Sequence, residues 1–123
     1  MLRIISFPIE IMKSIIGDDM ELWSDTEKKL STTWNGKPIY MKSFIVDGTI
    51  SNYQQLTDTN DIKSIIGATG EHFWSGYNRY YLFPYTDSSY YLTICVQNDN
   101  LYLLTNLGFQ DLKCTVWYTK TTD

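Results

Sequence analysis

Tyr90-Tyr91-Leu92-Thr93-Ile94-Cys95-Val96-Gln97-Asn98-Asp99-Asn100-Leu101-Tyr102-Leu103-Leu104 reads as a strand, a turn and a second strand without interruption. Successive side chains of a strand point to opposite faces, which puts Tyr90, Leu92, Ile94 and Val96 on one side and Tyr91, Thr93, Cys95 and Gln97 on the other. The polar run Gln97-Asn98-Asp99-Asn100 turns the chain, and Leu101-Tyr102-Leu103-Leu104 follows at once, so the stretch predicts a β-hairpin. The same pattern extends outward. Residues 38–46 run as a strand into Asp47-Gly48, a second turn signal. Residues 112–119 set Leu112, Cys114, Val116 and Tyr118 against Lys113, Thr115, Trp117 and Thr119. Residues 62–66 and 80–83 add two shorter strands. Several short strands at close spacing, with no long amphipathic helix, predict an all-β fold, an antiparallel, jelly-roll-like β-sandwich.

The ends of this body are marked by two segments. Trp34-Asn35-Gly36-Lys37-Pro38-Ile39-Tyr40 opens with Asn-Gly, which supplies the positive φ angles of a tight turn, and continues as a strand. Val116-Trp117-Tyr118-Thr119-Lys120-Thr121-Thr122-Asp123 reads as a closing strand. Neither carries catalytic chemistry. Together they resemble the terminal module of bacteriophage tail-fibre, baseplate and related receptor-binding virion structural proteins, in which Trp-x-Gly-Lys-Pro-Ile-Tyr-x-Lys opens the module and Tyr-Thr-Lys ends it. Lys42 completes the opening pattern. The resemblance spans residues 23–123 and departs from the family in that the module begins only about twenty residues into the chain. What it implies is a virion protein made in host cytoplasm, a small fibre or fibre-tip module that forms a homotrimer and contacts host-surface carbohydrate.

Composition bounds the remaining possibilities. A chain of 123 residues suffices for one domain and a single core without disulfide or metal staples. The net charge of -4 and a pI near 4.8 offer no basic field to a phosphate backbone, so nucleic acid is not expected as a partner. The apolar start of the chain is broken by Pro8, Glu10 and Lys13 before it reaches signal-peptide length, and no apolar run approaches the roughly 20 residues that span a bilayer. No export signal or membrane insertion is expected. Cys95 and Cys114 fall inside strands at no metal-site spacing and are expected as small buried residues.

Residues 1–22 stand apart from the module. Ile9, Met12, Ile15 and Ile16 have helical spacing, whereas the preceding Ile, Phe and Pro favour extended chain. The segment reads either as an arm that attaches the module to a neighbouring subunit or another virion protein, or as an extra element of the same domain. Ser24-Asp25-Thr26-Glu27 fits a capping box and predicts a short helix over residues 24–30.

No catalytic constellation emerges. The single histidine, His72, lacks a nucleophile elbow or a second metal-ligating histidine. Asp87, Asp99 and Asp111 fall where turns call for Asp. No calcium loop occurs at residues 18–27 or 58–61, so neither a cofactor nor a metal is expected. The better candidate is the stretch from His72 to Tyr91, in which nine of twenty residues are Phe, Trp or Tyr. Flat rings with OH or NH groups can stack on the C–H face of a sugar and hydrogen-bond at its edge. Trp74, Tyr77, Asn78, Arg79, Tyr81 and Tyr85 are the expected ligand-binding residues, with core or subunit-interface packing as the competing use of the same rings. Phe83, Tyr90 and Trp117 are expected in the core. A head or tail decoration protein that binds no receptor, or a polysaccharide-cleaving tail enzyme, are the alternative functions.

Overall fold

A computed structural model describes residues 3–4 and 23–123. Among the described residues ten strands follow one another: β1 (Arg3–Ile4), β2 (Lys28–Trp34), β3 (Lys37–Thr49), β4 (Tyr53–Gln55), β5 (Ile62–Trp74), β6 (Arg79–Phe83), β7 (Tyr85–Thr86), β8 (Tyr91–Gln97), β9 (Asn100–Thr105) and β10 (Gln110–Lys120). They form two five-stranded antiparallel sheets, ordered β1-β7-β8-β9-β4 and β2-β3-β10-β5-β6. The fold is the expected all-β sandwich.

The core follows from alternation. Tyr40 and Val46 of β3, Ala68 of β5, and Leu112, Cys114, Val116 and Tyr118 of β10 face Leu92 of β8 and Leu101 and Leu103 of β9. Each large apolar side chain buried in this way contributes about 1.5–3 kcal/mol. The β8–β9 hairpin reverses at Asn98 and Asp99, both with positive φ (52° and 60°), and the β2–β3 hairpin at Asn35 (51°) and Gly36 (78°). Asn, Asp and Gly tolerate that region best, so both turns form where the sequence places them. The two marker segments meet in space: β3 pairs with β10 in the register Tyr40↔Tyr118, Met41↔Trp117 and Lys42↔Val116.

Four local expectations are corrected. No helix occurs at residues 24–30: the Ser24 hydroxyl donates to the Thr26 carbonyl (2.7 Å), the Ser24 carbonyl accepts from the Ser43 N–H (2.6 Å), and β2 begins at Lys28. The cap signal yields to pairing against β3, which satisfies the same backbone groups. Asp47-Gly48 does not reverse the chain either. Gly48 (φ 78°) sits inside β3, opposite an irregularity between Gln110 and Leu112 where its N–H donates to Asp111 Oδ1 (2.8 Å). The feature is a bulge, which consumes a positive-φ glycine just as a turn does. β5 is longer than expected, running to Trp74 through Gly67 and Gly70. Cys114 is buried and its thiol pKa is pushed up to about 12 by burial, but Cys95 is only half-buried on the outer side of its sheet.

Phe83 lies in the main core and Tyr90 packs half-buried against it. Trp117 is buried on the opposite, outer side of the second sheet, in a smaller cluster with Ile39, Met41, Ile66 and half-buried Leu30. Of the segment expected as an arm, only Arg3 and Ile4 are among the described residues, and their backbone pairs with Thr86 and Tyr85. The remainder of residues 1–22 lies outside the described residues.

Candidate functional site

The aromatic stretch folds into the β5–β6 hairpin, with Trp74 paired to Arg79, Phe73 to Tyr80, His72 to Tyr81 and Glu71 to Leu82. Residues 75–78 form its tip. Tyr77 N–H donates to the Trp74 carbonyl (3.3 Å), Asn78 N–H to the Ser75 carbonyl (3.2 Å), and Asn78 takes a positive φ of 52°. Alternation then divides the rings. His72, Trp74 and Tyr81 turn toward the core, while Tyr80 and Leu82 turn outward, where Tyr80 packs on Phe73 (5.0 Å between centroids).

Trp74 is the centre of the inward group. Its ring meets Tyr77 (4.5 Å), Tyr90 (5.2 Å) and Phe109 (5.4 Å) edge to face, and Tyr81 at 6.0 Å. Gly76 lies over the indole so closely that a Cβ there would stand 2.9 Å from Nε1. Tyr77 caps this group and is 59% exposed, with the Arg79 guanidinium 5.8 Å from its ring centroid. Asn78 and Arg79 are exposed beside it. Three of the six expected ligand residues, Tyr77, Asn78 and Arg79, thus share one accessible tip, and Trp74 and Tyr81 support them from below, half-buried.

Tyr85 is placed differently. It lies in the core with its ring 5.1 Å from Tyr81, and its hydroxyl donates to Asp87 Oδ2 (2.5 Å). Burial, reinforced by that carboxylate, raises its pKa to about 12. Asp87 also accepts from the N–H groups of Ser89 and Tyr90 (2.7 Å each), and together with the Tyr85 hydroxyl these hold its carboxyl below the usual range. Asp87 therefore folds residues 87–90 and fixes Tyr90 against Trp74. Asp111 likewise serves a bulge and Asp99 a turn, in keeping with the turn chemistry expected of all three acids.

Beneath the tip, His72 is wholly buried. It stacks on Tyr81 (5.9 Å) and meets the edges of Phe109 (4.7 Å) and Tyr85 (5.8 Å), and neither ring nitrogen has a hydrogen-bond partner among the described residues. Burial lowers its pKa to about 4, so the ring is neutral. Tyr80, 66% exposed, is an accessible ring of this hairpin absent from the expected set. Strict alternation from inward Tyr81 and Phe83 was the signal that could have found it.

The far end of the sandwich carries a polar network. Glu27 accepts from the Tyr118 hydroxyl and from Lys120 (2.6 Å each), and Lys120 also reaches Asp61 (3.1 Å) and lies over the Tyr40 ring (4.6 Å). Lys37 donates to the Lys120 carbonyl (3.0 Å) and to that of Asp123. Beside it, a cavity of about 140 Å³ is lined by Lys42, Thr57, Asp58, Ile62 and Tyr118 among others. Among the described residues no group of three or more His, Cys, Asp or Glu side chains could hold a metal ion, and no helix is long and apolar enough to cross a membrane. Compared with protein-family models, curated proteins and solved structures, the chain matches none.

Proposed function

We propose that this chain is a bacteriophage virion structural module of the tail-fibre or fibre-tip kind, and that its β5–β6 tip contacts carbohydrate on the host surface. The observation that carries the recognition reading is the tip itself. Tyr77 projects with Asn78 and Arg79 beside it and is backed by Trp74, whose ring contacts fix the platform before any ligand arrives. A rigid ring ringed by amide and guanidinium donors suits the apolar face and hydroxyl fringe of a sugar. The virion assignment rests on the resemblance of the two marker segments, which in this fold form the paired strands β3 and β10.

Binding of the purified protein to host cells or isolated wall glycan tests the recognition reading. Tyr77→Ala and Arg79→Ala alter exposed side chains, leave the Trp74 contacts to Tyr90 and Phe109 in place, and are expected to weaken binding on the order of tenfold each. Undiminished binding by both variants removes the tip from the site. The burial of Trp74, Tyr81 and Tyr85 favours a second reading, a head or tail decoration protein that binds no receptor. Immunogold labelling of intact particles tests the fibre assignment, since label on the head excludes it.

A further inference from the structure

The outer side of the β2–β6 sheet is divided. At one end Ile39, Met41, Ser43, Thr115 and Trp117 are all buried. One step along the strands the face opens: Ile45 is 55% exposed and Leu82 47%, and Lys113 and Glu71 between them are exposed as well. These four residues form a single row, because Ile45 pairs with Lys113, Lys113 with Glu71, and Glu71 with Leu82 on the adjacent strands β3, β10, β5 and β6. Four strands at a spacing of about 4.8 Å make the row roughly 14 Å wide.

The order across the row is apolar, cation, anion, apolar. Rotated by half a turn about an axis along the strands between β10 and β5, the row is complementary to itself. Ile45 faces Leu82 of the second copy, Lys113 faces its Glu71, and the same contacts recur in reverse. Such self-complementarity is what an isologous interface requires. Lys113 and Glu71 are cross-strand neighbours of opposite charge, but no ion pair within 4.0 Å joins them or ties either to another group among the described residues, so both exposed side chains can turn to a facing chain. The flanking Ile45 and Leu82, with Tyr80 beside Leu82, would lose apolar surface to water on contact.

We infer that this open half-face pairs two copies of the chain about a twofold axis. The inference stands apart from the glycan reading, which concerns the tip. It differs from the threefold assembly that the resemblance implies. A patch of this size belongs to the weak, concentration-dependent class of interfaces.

Sedimentation velocity over a wide concentration range reads the outcome. The wild type is expected to pass from monomer to dimer. Glu71→Lys puts lysines at both central positions and Lys113→Glu puts glutamates there. Each variant alone is expected to dimerise at least tenfold more weakly, because like charges then face each other across the axis. An equimolar mixture of the two variants restores opposite charges at both contacts and is expected to form the heterodimer. Leu82→Ser, uncharged and exposed, is expected to weaken the dimer without altering the melting temperature, and serves where a charge reversal impairs folding. A wild type that stays monomeric, a trimer, association of Glu71→Lys equal to wild type, or a mixture that fails to associate would each overturn the inference.

Discussion

His72 is a residue the fold holds at a cost. Its two ring nitrogens are buried among Tyr81, Tyr85 and Phe109 without a partner among the described residues, and an unsatisfied buried polar atom costs about 1–3 kcal/mol. His72→Phe keeps a flat ring in the same aromatic surroundings and removes both atoms. It is expected to raise stability by about 1–2 kcal/mol, measured by urea denaturation at pH 7. The sign with pH follows from the direction of the shift. With a folded pKa of about 4 against the usual 6.5, the unfolded chain binds the extra proton first, so stability is lost as pH falls from 6.5 to 4 and this contribution levels off below that. A gap of that size corresponds to about 3 kcal/mol. Denaturation midpoints at pH 7, 5.5 and 4 should fall for the wild type and fall less for His72→Phe. From sequence alone His72 is a lone titratable side chain with no visible role. Its inward position follows only once β5 is known to continue past Gly70.

At the scale of elements, that continuation is where local reading failed and packing decided. Gly67 and Gly70 resemble strand breakers in sequence, yet Gly70 is required inside β5. A Cβ at that position would lie 2.1 Å from the Lys113 carbonyl oxygen and 2.7 Å from the Cys114 Cα, both backbone atoms of β10. Gly70→Ala is therefore expected to destabilise by about 3 kcal/mol or more, seen as a large drop in melting temperature or loss of soluble protein, whereas an alanine at exposed Gly108 is expected to cost far less. The turns at Asn35-Gly36 and Asn98-Asp99 were legible because short-range backbone geometry alone determines them. The Ser24 capping box and the Asp47-Gly48 turn misled because the same residues satisfy a strand edge and a bulge, and only the partner strand distinguishes the outcomes. The candidate site was legible to the same degree. Trp74, Tyr77, Asn78 and Arg79 gather at one hairpin end because they are close in sequence, but the burial of Tyr85 depends on Asp87 and on the facing sheet.

Across the whole molecule, Lys120 ties together parts of the chain that are distant in sequence. Its ammonium sits between Glu27, which approaches β2, and Asp61, which precedes β5, and those carboxylates, opposed by the lysine's own burial, raise its pKa. Asp61 is held below the usual carboxylate range; burial works against this, but hydrogen bonds from Thr59 and Lys120 outweigh it. Lys120→Met is expected to lower stability by about 1–3 kcal/mol at pH 7, since it leaves Glu27 and Asp61 without their cation. The deficit should narrow as pH falls through the carboxylate range, because protonated acids no longer need the lysine. Sheet order is the feature no local pattern could supply. β3 and β5, each 13 residues long, flank β10, the last strand in chain order. During synthesis, both strands emerge from the ribosome before the one that joins them exists. Until residues 110–120 are free, the nascent chain carries two long strands with unpaired edges, the form in which neighbouring polypeptides on one messenger are most prone to join the wrong sheet.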